Sequence, residues 1–169
     1  MAGRHSWGFS PYLEHRDTLL GDCPQMVAEG RFIHLGLDVI VPLATPLHAP
    51  LDAQVAEVGY ESGEGNYGGF VLLKHLTAGD PGFEPFYSFY GHLNRDRLPV
   101  VGKTFAAGEA FAEIGDFHEN GNWFHHTHLQ VITEEGLARG YLSKGYCAEG
   151  DLKAINALCP SPIPLFKRA

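Results

Sequence analysis

From His126 onward, the run Phe124-His125-His126-Thr127-His128-Leu129-Gln130-Val131-Ile132 sorts its side chains into two sets, His126, His128 and Gln130 against Thr127, Leu129 and Val131. Extended backbone sends successive side chains to opposite faces, so each set takes one face of a strand. On a helix, positions two apart stand roughly 200° around the axis, and the two histidines would diverge. The pattern therefore predicts a strand with one polar face able to hold a metal. His125 falls on the face opposite His126 and is expected to be structural.

Two imidazoles need further partners, and His34-Leu35-Gly36-Leu37-Asp38 and Tyr90-Gly91-His92-Leu93 supply them. On a straight strand His34 and Asp38 would lie roughly 13 Å apart, too far to share an ion whose bonds are about 2 Å long. The chain must bend between them, and Gly36 stands at the midpoint, where a turn or bulge is cheapest. A helix would also bring i and i+4 together, but Ile33, Val39, Ile40, Val41 and the following prolines disfavour one. His34, Asp38 and one histidine of the His126/His128 pair then form a two-imidazole, one-carboxylate set. Such a set suits Zn²⁺ with a fourth position left open, as in catalytic sites; closed structural sites use four protein ligands, usually including thiolates. The other histidine of the pair and His92 remain for acid–base work near neutral pH. A lone histidine or HxxxD carries little weight, and it is their joint occurrence in one β-rich chain that points to a site.

Around these motifs the chain reads as short strands and turns. Ala53–Tyr60 and Phe70–Leu76 form two strands joined by the glycine-rich segment Glu61–Gly69. After a turn-rich insertion at Thr77–Pro85, Phe86–Leu93 is an aromatic strand with His92 near its end. Val101–Thr104 and Ala107–Gly115 suggest two short strands about a turn at Ala106–Gly108. Asp151 is placed to cap a helix from Leu152 to about Leu158, which Pro160 stops. The spacing predicts an all-β, antiparallel sandwich or barrel-like fold. One domain accommodates the whole: an irregular arm over residues 1–30 with at most a short helix within Tyr12–Leu20, a core over 31–133, and an extension over 134–169 packed on it.

Twelve basic against twenty acidic residues give a net charge of −8, and no basic run of five exists, so nucleic acid is not an expected partner. No stretch approaches the roughly 20 apolar residues of a membrane helix. Arg4, Glu14, Arg16 and Asp17 interrupt the first twenty residues, so no secretory signal is expected. The expected location is cytoplasmic as the sequence stands, or secreted or periplasmic if a leader was removed. Cys23, Cys147 and Cys159, odd in number and widely spaced, read as reduced thiols. Ser88 and the cysteines lack a nucleophile motif, the glycines of 63–69 lack a phosphate-cradle sequence, and His48, His75 and His118 lack partner spacing.

His34-Leu35-Gly36-Leu37-Asp38, Pro42–Pro50, Tyr67-Gly68-Gly69, Tyr90-Gly91-His92-Leu93, Val101-Gly102, Ala107-Gly108-Glu109 and His126-Thr127-His128 follow one another in an order that resembles the lysostaphin-like (LytM-type, β-lytic) zinc metalloendopeptidases. The resemblance runs from about Arg31 to Ile132. It implies a duplicated-hybrid-motif-like β core, Zn²⁺ held by His34, Asp38 and His128, and His92 and His126 as catalytic histidines. It also implies a peptide substrate, in that family the cross-bridges or stem peptides of peptidoglycan. The family's usual HLHFE reads His126-Thr127-His128-Leu129-Gln130 here, so glutamine stands where glutamate is usual. Two alternatives share the fold: a cytoplasmic zinc hydrolase of a small peptide or amide, and a non-catalytic regulatory or binding module.

Overall fold

The structure, a computed structural model, describes residues 7–75 and 85–166. Most of the expected insertion at Thr77–Pro85 lies outside the described residues. Strands β1 (Gly8–Ser10), β3 (Leu37–Ile40), β5 (Ala53–Glu61), β6 (Gly68–His75), β7 (Phe86–Leu93), β8 (Thr104–Phe105) and β10 (His126–Thr133) build a seven-stranded sheet in the order β1-β3-β10-β7-β6-β5-β8. All its pairings are antiparallel. Two ribbons accompany it: β2 (Ile33–His34) with β11 (Tyr146–Cys147), and β4 (Pro46–His48) with β9 (Ala110–Glu113). The fold is all-β, as the strand spacing predicts.

Period-two alternation gives the sheet two apolar faces. Phe70, Leu72, Tyr87, Phe89 and Ile132 join Ile33, Leu35, Ile155 and Leu158 in one buried cluster. Val71, Leu73, Tyr90 and Leu129 join Ala53, Phe105 and Phe111 in the other. Each fully buried Leu, Ile or Phe contributes about 1.5–3 kcal/mol. His126, His128 and Gln130 share the first face of β10, which places them beside that first cluster.

The arms are more ordered than expected. Residues 1–30 include β1, which pairs Ser10 opposite Asp38 at the sheet edge, and two helices, α1 (Asp17–Leu20) and α2 (Pro24–Glu29). The helix expected within Tyr12–Leu20 is confined to its last turn, because Leu13 adopts φ 62° and turns the chain. Two short strands do flank Ala106–Gly108, but β8 pairs with β5 and β9 with β4 rather than with each other. After β10 come α3 (Glu134–Ala138) and α4 (Leu152–Leu158). Asp151 precedes α4 without capping it; its carboxylate instead accepts from the Ala148 amide at 3.2 Å.

One irregularity aims a side chain. Gly69 pairs with Leu93 and Val71 with Tyr90, so Gly91 and His92 of β7 together oppose the single residue Phe70. This bulge puts His92 at φ 64°, a left-handed value rare for a non-glycine residue. Beside it, the segment joining β5 to β6 docks on residues 116–124, with Gly65 donating to the Gly121 carbonyl at 2.9 Å. Gly68, at φ 63°, lets this happen, since a Cβ there would fall on the Glu119 carbonyl. Gly68→Ala is expected to lower unfolding stability by about 1–3 kcal/mol, from backbone strain and a displaced loop. Urea denaturation against wild type checks this.

Candidate metal centre

The bend between His34 and Asp38 falls where β2 leaves its ribbon and β3 enters the main sheet. It brings His34 Nε2 to 3.2 Å from Asp38 Oδ1. Asp38 pairs with His128 across β3 and β10, and His128 Nδ1 stands 3.2 Å from the same oxygen. The triangle closes at 3.0 Å between His34 Nε2 and His128 Nδ1. Bonds of about 2.0 Å at tetrahedral angles set donor atoms about 3.3 Å apart, so these edges fit a small divalent ion with one position left over. Among the described residues, His34, Asp38 and His128 form a group whose ligand atoms lie close enough together to hold a metal, and all three are buried. Gly36 makes room for this arrangement: its φ is not left-handed, but a Cβ would come within 2.6 Å of His128 Nε2 and 2.8 Å of the Leu129 carbonyl.

The structure brings His92 and His126 to the same place. Their ring centroids are 4.3 Å apart, and His126 Nε2 lies 3.9 Å from Asp38 Oδ1. His92 Nδ1 donates to the Asn120 carbonyl at 2.8 Å and His126 Nδ1 to the Phe124 carbonyl at 2.7 Å, so each leaves an Nε2 lone pair. His34 Nδ1 stands 3.1 Å from the Pro11 carbonyl and 3.0 Å from Arg16 Nη2. These cannot both be hydrogen bonds, because a protonated Nδ1 serves Pro11 and an unprotonated one serves Arg16. A cation on Nε2 selects the first.

Burial sets the protonation states. It depresses the pKa of His34, pushes that of His92 far down with His126 and His128 adding to the effect, and lowers that of His126. Burial opposes ionisation of Asp38, yet the His128 and His34 imidazoles packed against its Oδ1 outweigh it and hold the carboxyl well below the usual range.

Several residues at the site carry no local signal in the sequence. Arg16, from the N-terminal arm, is buried with Nη1 2.9 Å from Asp38 Oδ2 and Nε 2.6 Å from Glu14. Its Nη1 also donates to the Tyr146 hydroxyl at 3.0 Å. Tyr67 appears in the sequence only as part of Tyr67-Gly68-Gly69, but its ring packs 5.4 Å from that of His128 and its buried hydroxyl has no hydrogen-bond partner among the described residues. Burial holds that phenol's pKa well above its ordinary value, hence protonated. Glu14, Arg16, Tyr67, Phe124 and Tyr146 help to line a groove of about 530 Å³ over the histidines.

Other histidines stand apart. His125 is half-buried and 3.2 Å from Asp116, and His48 donates to the Gly108 carbonyl at 2.8 Å. His75, which lacks partner spacing in the sequence, is buried 2.7 Å from the Ser88 hydroxyl, and burial pushes its pKa down to about 4.

An all-β scaffold with a groove over a His/Asp/His triangle and a second histidine pair has the layout of a hydrolase. The chain belongs to peptidase family M23, whose sequence profile matches residues 32–138. Among solved structures it is similar to the catalytic domain of the prophage-encoded M23 protein EnpA from Enterococcus faecalis, at 19% identity over 88% of this chain and 91% of that one, with a TM-score of 0.54. The catalytic domain of the antimicrobial peptidase lysostaphin from Staphylococcus simulans gives 17% identity over 90% and 92%, with a TM-score of 0.53. LytU is 25% identical, but the match spans 59% of this chain and 61% of LytU, with a TM-score of 0.46. No curated protein matches the chain.

The buried histidines make a pH prediction. His34, His75, His92 and His126 have folded pKa values below the ordinary 6.5, so the unfolded chain binds more protons just below that pH. Stability of the metal-free protein is complete above about pH 6.5 and is expected to fall as pH drops from 7 to 5. Urea midpoints at pH 7, 6 and 5 check the sign.

Proposed function

We propose that this peptidase is a zinc enzyme that hydrolyses peptide bonds of peptidoglycan, in its cross-bridges or stem peptides. The observation that carries the reading is the triangle of His34 Nε2, Asp38 Oδ1 and His128 Nδ1, with edges of 3.0 to 3.2 Å, next to a second histidine pair. Two neutral imidazoles and one carboxylate would hold the ion with a residual charge of about +1. When bound, Zn²⁺ supplies a Lewis acid that polarises a carbonyl and acidifies water.

The chain's own groups do the rest. His92 and His126, neutral at pH 7 because they are buried, turn their Nε2 lone pairs away from the carbonyls that hold their Nδ1–H groups. One of them takes a proton from the attacking water through its Nε2 lone pair and returns it to the leaving amine; the other can steady the developing negative charge only as the protonated imidazolium. The Tyr67 hydroxyl, protonated and without a partner, is a further donor for the carbonyl oxygen as charge grows on it. The groove suits a short peptide strand in size. Membership of family M23 and the fold shared with lysostaphin, described as an antimicrobial peptidase, support a bacterial-wall substrate.

The test compares zinc-loaded and chelator-stripped protein on purified peptidoglycan and on glycine- and D-alanine-containing peptides. New amino termini are expected from the loaded protein alone. His128→Ala is expected to abolish both zinc uptake and turnover, whereas His126→Ala keeps zinc and loses about 10²- to 10⁴-fold in rate. Cleavage of small amides with wall material left intact would shift the substrate to a small-molecule class. Wild-type protein that refuses added Zn²⁺ would overturn the reading.

A further inference from the structure

Gln130 stands two residues beyond His128 on the same face of β10 and is completely buried. Its Oε1 lies 3.1 Å from His128 Nε2. Its Nε2 faces three acceptors from the segment after the sheet: the carbonyls of Lys144 at 3.3 Å and Tyr141 at 3.4 Å, and the Cys159 sulfur at 3.4 Å. Burial pushes that thiol up to about 12, so it is an uncharged, weak acceptor.

We propose that Gln130 is a positioning residue that fixes His128 in the tautomer and orientation a metal ligand needs, and that residues 141–159 orient Gln130 in turn. The inference rests on the metal-site reading above. Its starting point is two backbone carbonyls, which only accept. Reversing the amide would set its oxygen against both of them, so the NH₂ end must face Tyr141 and Lys144. Oε1 is then turned to His128, and because it also only accepts, His128 Nε2 must carry the proton. Nδ1 is left with its lone pair, on the side where Asp38 Oδ1 and His34 Nε2 lie at 3.2 and 3.0 Å. Direction thus passes from carbonyl to amide to imidazole to the metal position.

The surroundings call for an amide at this position rather than a carboxylate. A carboxylate of the same length would keep an acceptor for His128 but turn its second oxygen toward two carbonyls and a sulfur, in a spot without solvent. An amide meets both sides. The residue and the segment after the sheet form a matched pair, and Cys159 and Tyr141 belong to the apolar cluster that α4 closes.

The test uses the full chain with Gln130→Met, which keeps volume and removes hydrogen bonding, and Gln130→Glu. Zinc affinity by chelator competition is expected to fall about 10- to 100-fold in Gln130→Met. Nitrogen NMR of metal-free wild type is expected to show His128 as the Nε2–H tautomer, and Gln130→Met a mixture. Metal-free Gln130→Glu is expected to melt below Gln130→Met at pH 7. Undiminished affinity in Gln130→Met, or an Nδ1–H tautomer in wild type, overturns this inference alone; the wild-type spectrum decides even if a variant fails to fold. Wild type that takes up no zinc sinks the metal reading and this inference together.

Discussion

Every histidine that turns a nitrogen toward the centre is held by its other nitrogen. The Pro11, Asn120 and Phe124 carbonyls and the Gln130 amide oxygen are the four anchors. None of them donates, so each anchored nitrogen carries the ring's proton when the imidazole is neutral and serves its anchor. The other nitrogens are then bare, and they converge with a carboxylate in a buried space. Such a set of electron pairs repels itself and has lost its water. The two apolar clusters keep the chain folded around it, and a cation is the natural complement.

The anchors come from separate parts of the chain, and backbone features bring them in. The bulge in β7 twists His92 out of the ladder, and the Tyr67 carbonyl accepts its amide at 2.7 Å. Gly68 and Gly121 let the neighbouring loop press close enough for Asn120 to reach the ring. Gly36 does the same service for His128 by having no side chain where the imidazole lies. A peptidase groove is usually described by its polar groups, yet here three missing methyl groups decide where those groups stand.

Much of this was legible in the sequence, and for a definite reason. Alternation over residues 126–132 fixes which side chains share a face, and the four-residue spacing of His34 and Asp38 demands a bend that the change of sheet between β2 and β3 provides. Both are local signals. The irregular N-terminal arm was misread because β1 has only three residues and takes its identity from pairing with β3. Arg16 and Tyr67 escaped for a similar reason: their partners at the site lie 22 and 61 positions further on, at Asp38 and His128, and no periodicity spans such distances. Gly36 stands in the sequence where a turn or bulge is cheapest; the structure keeps its φ out of the left-handed region and gives it a role in clearance.

The ion pair between Arg16 and Asp38 bears on which elements the centre will accept. With Oδ2 engaged by a guanidinium, the carboxylate has one oxygen to give, so it cannot chelate through both. Calcium asks for six to eight oxygen donors and magnesium for a near-perfect octahedron of them. Neither finds that here, where nitrogen outnumbers oxygen two to one. A side chain outside the triangle thereby disfavours hard, oxygen-seeking cations there.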